Sequence, residues 1–227
     1  MERSAASLPD VAELLVVCAH PDDESFGLGG VLGAFVDRGT QVRVLCFTHG
    51  EASTLGEDAA LGERRAAELD AAARALGVQE ATLHAYPDGR LAAVALDELV
   101  ARIAEQAGDA DLLLAFDAGG ITGHPDHIRA TEAALAFGTY RRMPVLGWAL
   151  PEEVAAQLNA ELGTSFAGRR PDELDLTVAV DRDRQQAAIA CHASQSTDNP
   201  VLWRRLELLG STENLRWLLP PPRARVA

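Results

Sequence analysis

Short runs of consecutive apolar residues alternate along the chain with longer stretches in which apolar residues recur every three or four positions. Runs such as 14–20 and 111–116 are apolar on both faces, which is typical of strands in a parallel sheet covered on both sides. The stretch 61–77 has helical spacing and stops at a glycine. In chain order, the pattern predicts strand 14–20, helix 26–38, strand 41–48, helix 61–77, strand 81–86, helix 95–107, strand 111–116, helix 126–138, strand 144–150, helix 151–162, strand 174–180 and helix 182–193.

This alternation predicts an α/β fold, a Rossmann-like three-layer sandwich with a mostly parallel sheet. No repeat, low-complexity tract or long linker interrupts it, so residues 1–227 are expected to form a single domain. The segment PPPRARVA at 220–227 is interpreted as a loose tail. In open α/β sheets, ligands bind at the carboxyl ends of the strands near the point where strand order reverses. The active site is therefore expected there.

Titratable residues accumulate just after the predicted strands. HPDDE at 20–24 follows the first strand, and THGE at 48–51 follows the second. YPDG at 86–89 follows the third strand, and DAGGITGHPDH at 117–127 follows the fourth. Carboxylates crowded as they are in HPDDE repel one another, and burying any of them unpaired costs free energy. A bound cation at this edge of the sheet would offset that cost.

Two of these loops carry the residue types of a divalent metal site. Zinc prefers imidazole nitrogens and carboxylate oxygens, and catalytic zinc keeps three protein ligands and an open position. His20 and Asp23 lie three residues apart, and His127 comes from the second loop, so we expect these three to bind Zn²⁺. A set of two histidines and one carboxylate also suits Fe²⁺. Asp22 would then accept a proton from a metal-activated water, and His124 would stabilise the oxyanion or protonate the leaving amine.

Each His-Pro-Asp loop also has a simpler interpretation. Taken alone, such a loop can be a helix N-terminus, with proline in the first turn and aspartate as a cap. Two such loops at corresponding strand ends favour the metal site. The glycine-rich stretch GLGG at 27–30 matches neither a dinucleotide-binding nor a phosphate-binding loop, so a nucleotide site is not predicted.

Charge and composition narrow the classes of partner. The formal charge is −14, from 34 acidic residues against 20 basic ones, all of which are arginine. Nucleic acid and anionic membrane surfaces attract clusters of basic residues, so neither is an expected partner. No apolar run reaches the roughly 18 residues that span a bilayer, and no secretory signal is evident, so a cytoplasmic location is expected. The cysteines Cys18, Cys46 and Cys191 form no CxxC pair and are expected to be reduced.

The motifs, taken in order, resemble a known family. AHPDDESFG at 19–27 and TGHPDH at 122–127 resemble the LmbE-like zinc de-N-acetylases, which include deacetylases of glycosylphosphatidylinositol, mycothiol and bacillithiol synthesis. The resemblance implies the metal ligands already inferred, with Asp22 as general base and His124 stabilising the transition state. It extends through most of the chain, at THGEAS (48–53), LGERRAAEL (61–69), YPDGRL (86–91) and CHASQ (191–195).

The same resemblance suggests further roles. Asp126 would fix the orientation of a metal-bound histidine. Arg65 would contact substrate, with a surface ion pair to Glu68 as the alternative. Asp88 would bind a sugar hydroxyl, with an ordinary Pro-Asp-Gly turn as the alternative. His192 would lie near the pocket or make a structural hydrogen bond.

The resemblance implies a metal-dependent amidohydrolase that removes an acetyl group from an N-acetylglucosamine-like small molecule. The expected partner is thus a small N-acyl sugar derivative; a homo-oligomer is compatible with the sequence, which does not fix the oligomeric state. An amidase acting on a larger amide or a thiol conjugate would share the metal motifs, and residues 140–175 are expected to form the pocket wall that separates the two. A non-catalytic metal- or sugar-binding protein would need neither Asp22 nor His124.

Overall fold

The computed structural model describes residues 7–55 and 59–222. The strands in these residues are β1 (Glu13–Cys18), β2 (Gln41–Thr48), β3 (Glu80–Tyr86), β4 (Leu112–Phe116), β5 (Val145–Trp148), β6 (Leu150–Pro151), β7 (Gly168–Arg169), β8 (Leu176–Ala179) and β9 (Thr212–Leu219). The helices are α1 (Asp23–Phe26), α2 (Gly29–Asp37), α3 (Leu61–Leu76), α4 (Leu96–Ala107), α5 (Gly120–Gly123), α6 (Pro125–Arg141), α7 (Glu152–Leu162), α8 (Asp183–Cys191), α9 (Ala193–Ser196) and α10 (Pro200–Leu209). Short 3-10 turns cover Leu91–Ala93 and Pro171–Glu173.

Seven strands form one sheet in the order β3-β2-β1-β4-β5-β9-β8. The pairs β1–β2, β1–β4, β2–β3 and β4–β5 are parallel, whereas β9 runs antiparallel to both of its neighbours. Strand order reverses at β1, because the chain builds outwards through β2 and β3 and then returns to β4 on the other side. The carboxyl ends of β1 and β4 therefore border the crevice in which such sheets bind ligands.

Each face of the sheet has its own hydrophobic core. On one face Val16 and Leu114 pack beneath α2, α3 and α8. On the other, Leu15 and Leu113 pack beneath α4 and α6. Because successive side chains of a strand point to opposite faces, the continuously apolar runs supply both cores at once. The predicted α/β sandwich with a mostly parallel sheet is confirmed.

The structure differs from the sequence prediction after residue 193, where no further element is predicted. α10 and β9 follow, and β9 lies inside the sheet between β5 and β8. The sequence of β9, TENLRWLL, mixes polar and apolar residues and lacks the continuous apolar character of the parallel strands. In the predicted tail, residues 220–222 are exposed and without regular structure, and 223–227 lie outside the described residues.

Two further predictions concern membranes and cysteines. Among the described helices, none is both long and apolar enough to cross a membrane. Cys18 and Cys46 are buried side by side on β1 and β2, and all three cysteines are free. The two strand cysteines therefore occupy positions of small hydrophobic residues, as the sequence predicts.

Candidate active site

Both His-Pro-Asp loops begin helices. Asp22 precedes α1 with a φ of 115°, and its side chain makes no capping hydrogen bond. His124 precedes α6, with Pro125 in the first turn. Both loops thus lead into helices, as the simpler interpretation expects, but in neither does an aspartate side chain cap the helix. The side chains nevertheless converge on one cavity of about 460 Å³ at the carboxyl ends of β1 and β4.

The three predicted metal ligands lie together at the floor of this cavity. Nδ1 of His20 is 3.1 Å from Nε2 of His127, and Oδ1 of Asp23 is 3.1 Å from the same Nε2 atom. Four-coordinate zinc with bonds of 2.0–2.1 Å places its ligand atoms about 3.3 Å apart. Oδ2 of Asp23 accepts hydrogen bonds from the backbone N–H groups of Ala19 and His20, which fixes the carboxylate.

The proton positions of the two histidines follow from their other contacts. Nδ1 of His127 lies 3.3 Å from the carbonyl oxygen of Gly120, which can only accept, so Nδ1 carries the proton. Nε2 of His20 lies 2.9 Å from Oδ1 of Asp88, a carboxylate oxygen, so the proton of that ring is on Nε2. When each ring carries this single proton, both inward-facing nitrogens can present a lone pair to a cation beside the carboxylate of Asp23. A cation among the three atoms satisfies all of them, so the residues present fit a divalent metal.

Gly120 is required for this arrangement. Its φ is 68°, and a Cβ atom there would lie 2.9 Å from Cβ of His127. Its neighbour Ile121 also has a positive φ of 60°, which is strained for a β-branched residue. This turn directs the carbonyl oxygen of Gly120 to His127 and places Ile121 against the cavity.

In two other groups, His20–His124–His127 and His20–Asp88–Asp126, the possible ligand atoms all lie within 4.8 Å of one another. Neither group includes the carboxylate of the predicted set. The predicted set is more open, because Nδ1 of His20 comes closest to Asp23 at 4.0 Å and through Oδ2 rather than Oδ1. Nδ1 of His124 accepts from the backbone N–H of Asp126 at 3.2 Å, so its proton is on Nε2, which acts as a donor. Asp88 and Asp126 both lie against the protonated Nε2 of His20, at 2.9 and 3.4 Å. When each ring carries one proton, the predicted set directs three acceptor atoms inward, whereas each of the other two sets includes an N–H donor.

At the proposed metal ligands, burial and neighbouring charges shift the pKa values in opposite directions. Burial lowers the pKa of His20, but the carboxylates of Asp126, Asp88 and Asp23 outweigh it and raise the pKa to about 10. The ring is therefore protonated at neutral pH without a metal, and a bound cation would displace the proton of Nδ1. Burial raises the pKa of Asp23, but the neighbouring histidines outweigh it and hold the pKa well below its usual range. The carboxylate is therefore ionised at neutral pH.

Arg65 positions the carboxylate of Asp22. The guanidinium is 3% exposed and donates to Oδ2 of Asp22 at 2.9 Å, to the carbonyl oxygen of Gly50 at 2.6 Å, and to that of Pro21. The alternative of a surface ion pair with Glu68 is wrong, because Glu68 instead accepts from Ser194. Burial raises the pKa of Asp22 above its usual range, against the opposing charge of Arg65.

His192 lies behind the cavity rather than in it. It is fully buried, and its Nε2 is 2.6 Å from Oε1 of Glu24. The other oxygen of Glu24 accepts from the backbone N–H of Asp22 at 2.9 Å. The structural hydrogen bond was thus the correct alternative for His192, and through Glu24 it holds the backbone of the first loop.

The remaining predicted residues lie around the ligands. The carboxylate of Asp126 accepts from the backbone N–H groups of Gly89 at 2.7 Å and Leu91 at 3.0 Å, and it faces His20. Asp88 belongs to a turn, but its carboxylate also lines the cavity. It is therefore more than a turn residue.

One wall of the cavity was not predicted. Of residues 140–175, Trp148 alone among the described residues lines it, so the expectation that this region forms the wall is largely wrong. Trp148 is the last residue of β5, a strand-end position that could have been noticed. Phe26, Phe116 and Ile121, which also line the cavity, lie in or beside the His-Pro-Asp motifs, whereas Arg205 on α10 belongs to no motif.

Comparisons with known proteins agree with this site and fold. The model of the family described as "PIG-L: GlcNAc-PI de-N-acetylase" matches residues 15–137, which include both His-Pro-Asp loops. A 1D-myo-inositol 2-acetamido-2-deoxy-alpha-D-glucopyranoside deacetylase of Kineococcus radiotolerans is 32% identical over 261 residues, covering 86% of this chain and 72% of the relative.

Solved structures share the fold at lower identity. A deacetylase of the teicoplanin biosynthesis pathway has a TM-score of 0.68 and 22% identity, with 90% of this chain and 96% of that chain covered. GalB, the 4-carboxy-2-hydroxymuconate hydratase of Pseudomonas putida KT2440, has a TM-score of 0.69 and 20% identity, with 95% and 99% covered. These two likenesses concern the fold. By the family match and the identity to the Kineococcus protein, the chain belongs to the PIG-L family of GlcNAc-PI de-N-acetylases, as its resemblance to LmbE-like enzymes predicts.

Proposed function

We propose that this protein is a zinc-dependent hydrolase that removes the acetyl group from an N-acetylglucosamine-like small molecule. The observation that carries the proposal is the convergence of His20, Asp23 and His127, in which Nε2 of His127 lies 3.1 Å from both Nδ1 of His20 and Oδ1 of Asp23, about the spacing of zinc ligands. A Zn²⁺ ion held there would supply a Lewis acid that polarises the amide carbonyl and lowers the pKa of water from 15.7 to about 7. Fe²⁺ is compatible with the same ligands.

Asp22 is the residue placed to move the proton. It lines the cavity next to Asp23, and Arg65 holds one of its oxygens at 2.9 Å. Burial keeps its pKa above the usual range, which makes it a better base than an exposed carboxylate. It would accept the proton of the attacking water and return it to the amine nitrogen as the C–N bond breaks.

His124 is the residue placed to stabilise the oxyanion. Its Nδ1 accepts a backbone hydrogen bond, which leaves an N–H on the other nitrogen. Burial, together with the positive charges of His20 and His127, lowers its pKa, so the ring is neutral at neutral pH. A neutral imidazole N–H fixed at a helix N-terminus is a preorganised donor for the negative charge that develops on the carbonyl oxygen.

Asp126 and Asp88 support the metal ligands. Asp126 is held by two backbone N–H groups, and with Asp88 it faces the outer nitrogen of His20. Such a contact fixes the tautomer and orientation of a metal-bound histidine. We keep substrate contact by Asp88 and Arg65 as part of the proposal, since both line the cavity.

The substrate class follows from the family and from the polar lining. The Kineococcus relative is named for an inositol-linked acetamido sugar, and Ser53, Asp88 and Gln195 offer hydrogen-bonding groups in the cavity here. An amidase acting on a larger amide or thiol conjugate is the second candidate, and the aromatic side of the cavity favours it. A cytoplasmic location remains a prediction.

The test combines metal content with release of amine. Purified protein should bind about one zinc per chain, and it should release free amine from N-acetylglucosamine derivatives only when the metal is present. For Asp→Asn variants of the site, Asp97→Asn serves as the control, because it removes one carboxylate at an exposed position away from the cavity. Metal-loaded protein that releases no amine from any N-acetyl sugar would instead indicate the non-catalytic metal- or sugar-binding class.

A further inference from the structure

The cavity has two chemically different sides. The polar side carries Ser53, Asp88 and Gln195. The aromatic side carries Phe116 and Trp148 and ends at Arg205, with Phe26 and Ile121 beside them. The hydroxyl groups of a sugar match the polar side, so in the proposed reaction the acyl group of the amide lies along the aromatic side.

The aromatic side leads from the metal ligands to a single cation. The ring centroids of His127 and Phe116 are 4.9 Å apart, and those of Phe116 and Trp148 are 5.4 Å apart. The guanidinium carbon of Arg205 is 5.3 Å from the centroid of Trp148. These contacts form a continuous apolar surface that begins at His127 and ends at a positive charge.

Arg205 has few partners for a buried guanidinium. It is 9% exposed, and among the described residues it makes one hydrogen bond, from Nη2 to the carbonyl oxygen of Phe26 at 2.6 Å. Its Nε is buried without a partner, and no carboxylate of the described residues forms an ion pair with it within 4.0 Å. A guanidinium has five N–H donors, so most of this capacity is unused.

The carboxylates whose charges act on Arg205, those of Glu213, Asp22 and Asp23, already have other partners. Glu213 pairs with Nη1 of Arg182 at 2.6 Å and accepts from Nε1 of Trp148 at 2.6 Å. Burial lowers the pKa of Arg205 to about 10, so the group is still charged at neutral pH. A buried charge without an ion pair is costly, and the side from which an anion can reach this one is the cavity.

Resting on the proposed function, we propose that Arg205 binds a carboxylate at the far end of a longer acyl group, so that the enzyme hydrolyses, besides N-acetyl compounds, amides of dicarboxylic acids such as N-succinyl amino sugars. One guanidinium balances one negative charge, and its planar fork matches a planar carboxylate. Water adds its oxygen to the acyl carbon, the C–N bond breaks, and the nitrogen takes the proton. The products are the free amine and a dicarboxylate.

The test compares acyl groups of matched shape on one amine. N-Succinylglucosamine and N-butanoylglucosamine differ in a terminal carboxylate against a terminal methyl group. For the zinc-loaded enzyme we expect kcat/KM to be at least about tenfold higher for the succinyl compound. Arg205→Met should reduce this ratio to near one, Arg205→Lys should keep part of it, and Arg204→Met, at the partly exposed neighbouring position on α10, should keep all of it.

A wild-type ratio of one or less would overturn the proposal even if Arg205→Met did not fold. A strong preference for N-acetyl amines that carry the carboxylate on the amine part would also overturn it, because the anion would then lie on the other side of the amide.

Failure of the proposed function gives a different result. If N-acetylglucosamine derivatives are not hydrolysed but succinyl compounds are, the deacetylase assignment fails and the role of Arg205 stands. If no compound is hydrolysed, calorimetric binding of the succinyl and butanoyl compounds to wild-type protein and Arg205→Met decides the role of Arg205. Equal affinity of the wild type for both compounds would overturn it.

Discussion

Two buried groups of polar side chains lie at the same cavity and differ in whether other protein groups complete their hydrogen bonds and ion pairs. The catalytic cluster faces the cavity, and the supporting cluster lies beneath its aromatic side. In the supporting cluster, both oxygens of Glu213 are paired, with Arg182 and Trp148. The catalytic cluster consists of His20, Asp22, Asp23, His124 and His127, and the supporting cluster of Trp148, Arg182, Gln185 and Glu213.

The catalytic cluster is arranged in the opposite way. The inward nitrogens of His20 and His127 face each other and a carboxylate oxygen of Asp23. Without a cation these groups are compatible only when the rings hold extra protons, which the raised pKa of His20 reflects. The supporting cluster is complete without a ligand, whereas the catalytic cluster is complete only with one. A buried charged group whose pairing within the protein is incomplete thus indicates a functional site.

The largest effect is expected when a proposed metal ligand is removed. Asp23→Asn removes the one charged ligand, so we expect zinc content and amine release both to fall to background. Metal analysis and the amine-release assay check this. Removing the metal from the wild type with a chelator should abolish activity, and added Zn²⁺ should restore it. Zinc retained at wild-type stoichiometry by Asp23→Asn would contradict the ligand assignment.

A smaller effect is expected at the proposed base. Asp22→Asn should lower kcat by about 10²- to 10⁴-fold, the usual contribution of general base catalysis, while zinc remains bound. Steady-state kinetics on protein of known metal content measure it. Turnover within threefold of the wild type, with the metal present, would show that another group takes the proton.

The pairing between Glu24 and His192 should affect stability rather than chemistry. Burial lowers the pKa of His192, but Glu24 outweighs it and the pKa is raised above 6.5. Burial raises the pKa of Glu24, but His192 outweighs it and the pKa is lowered below 4.5. The stability that His192 contributes is fully present below pH 6.5 and is lost as pH rises through the pKa of His192 in the folded protein. The stability that Glu24 contributes is fully present above pH 4.5 and is lost as pH falls through the pKa of Glu24 in the folded protein.

The pair therefore stabilises the fold most between pH 4.5 and 6.5. Removing one partner of a buried pair costs about 3 to 5 kcal/mol, so His192→Gln should lose that much at about pH 5.5 and less on either side. Urea unfolding of the metal-free protein measures the difference. A cost that does not change between pH 4 and pH 9 would rule out a charged pair.

The smallest effect is expected on the surface. Glu161 accepts from Arg204 at 2.7 and 2.9 Å, but the side chains are partly exposed and solvent screens the pair. Glu161→Gln should leave both the unfolding midpoint and kcat unchanged within error. A marked loss of stability would mean that pairing of polar groups matters equally at the surface and in the two buried clusters.

The parallel strands and the convergence of His20, Asp23 and His127 could be predicted because their signals are local. Continuous apolar runs mark buried strands, and His-Pro-Asp loops at two strand ends bring their side chains to one edge of the sheet. The cavity wall could not be predicted, because Arg205 and Phe26 meet only after α10 has packed. Arg65 shows the same limit: its local partner would be Glu68, but tertiary contacts direct it to Asp22.

The position of β9 sets an order of assembly during synthesis. Every residue of the catalytic cluster has left the ribosome once residue 127 has, but β5 keeps an open edge until β9 emerges and pairs with it. Only then can Glu213 reach Trp148 and fix the aromatic side of the cavity. A nascent chain would therefore contain the proposed metal ligands well before the wall of the cavity has formed. Until then, the unpaired edge of β5 is the place where the chain is most prone to aggregate.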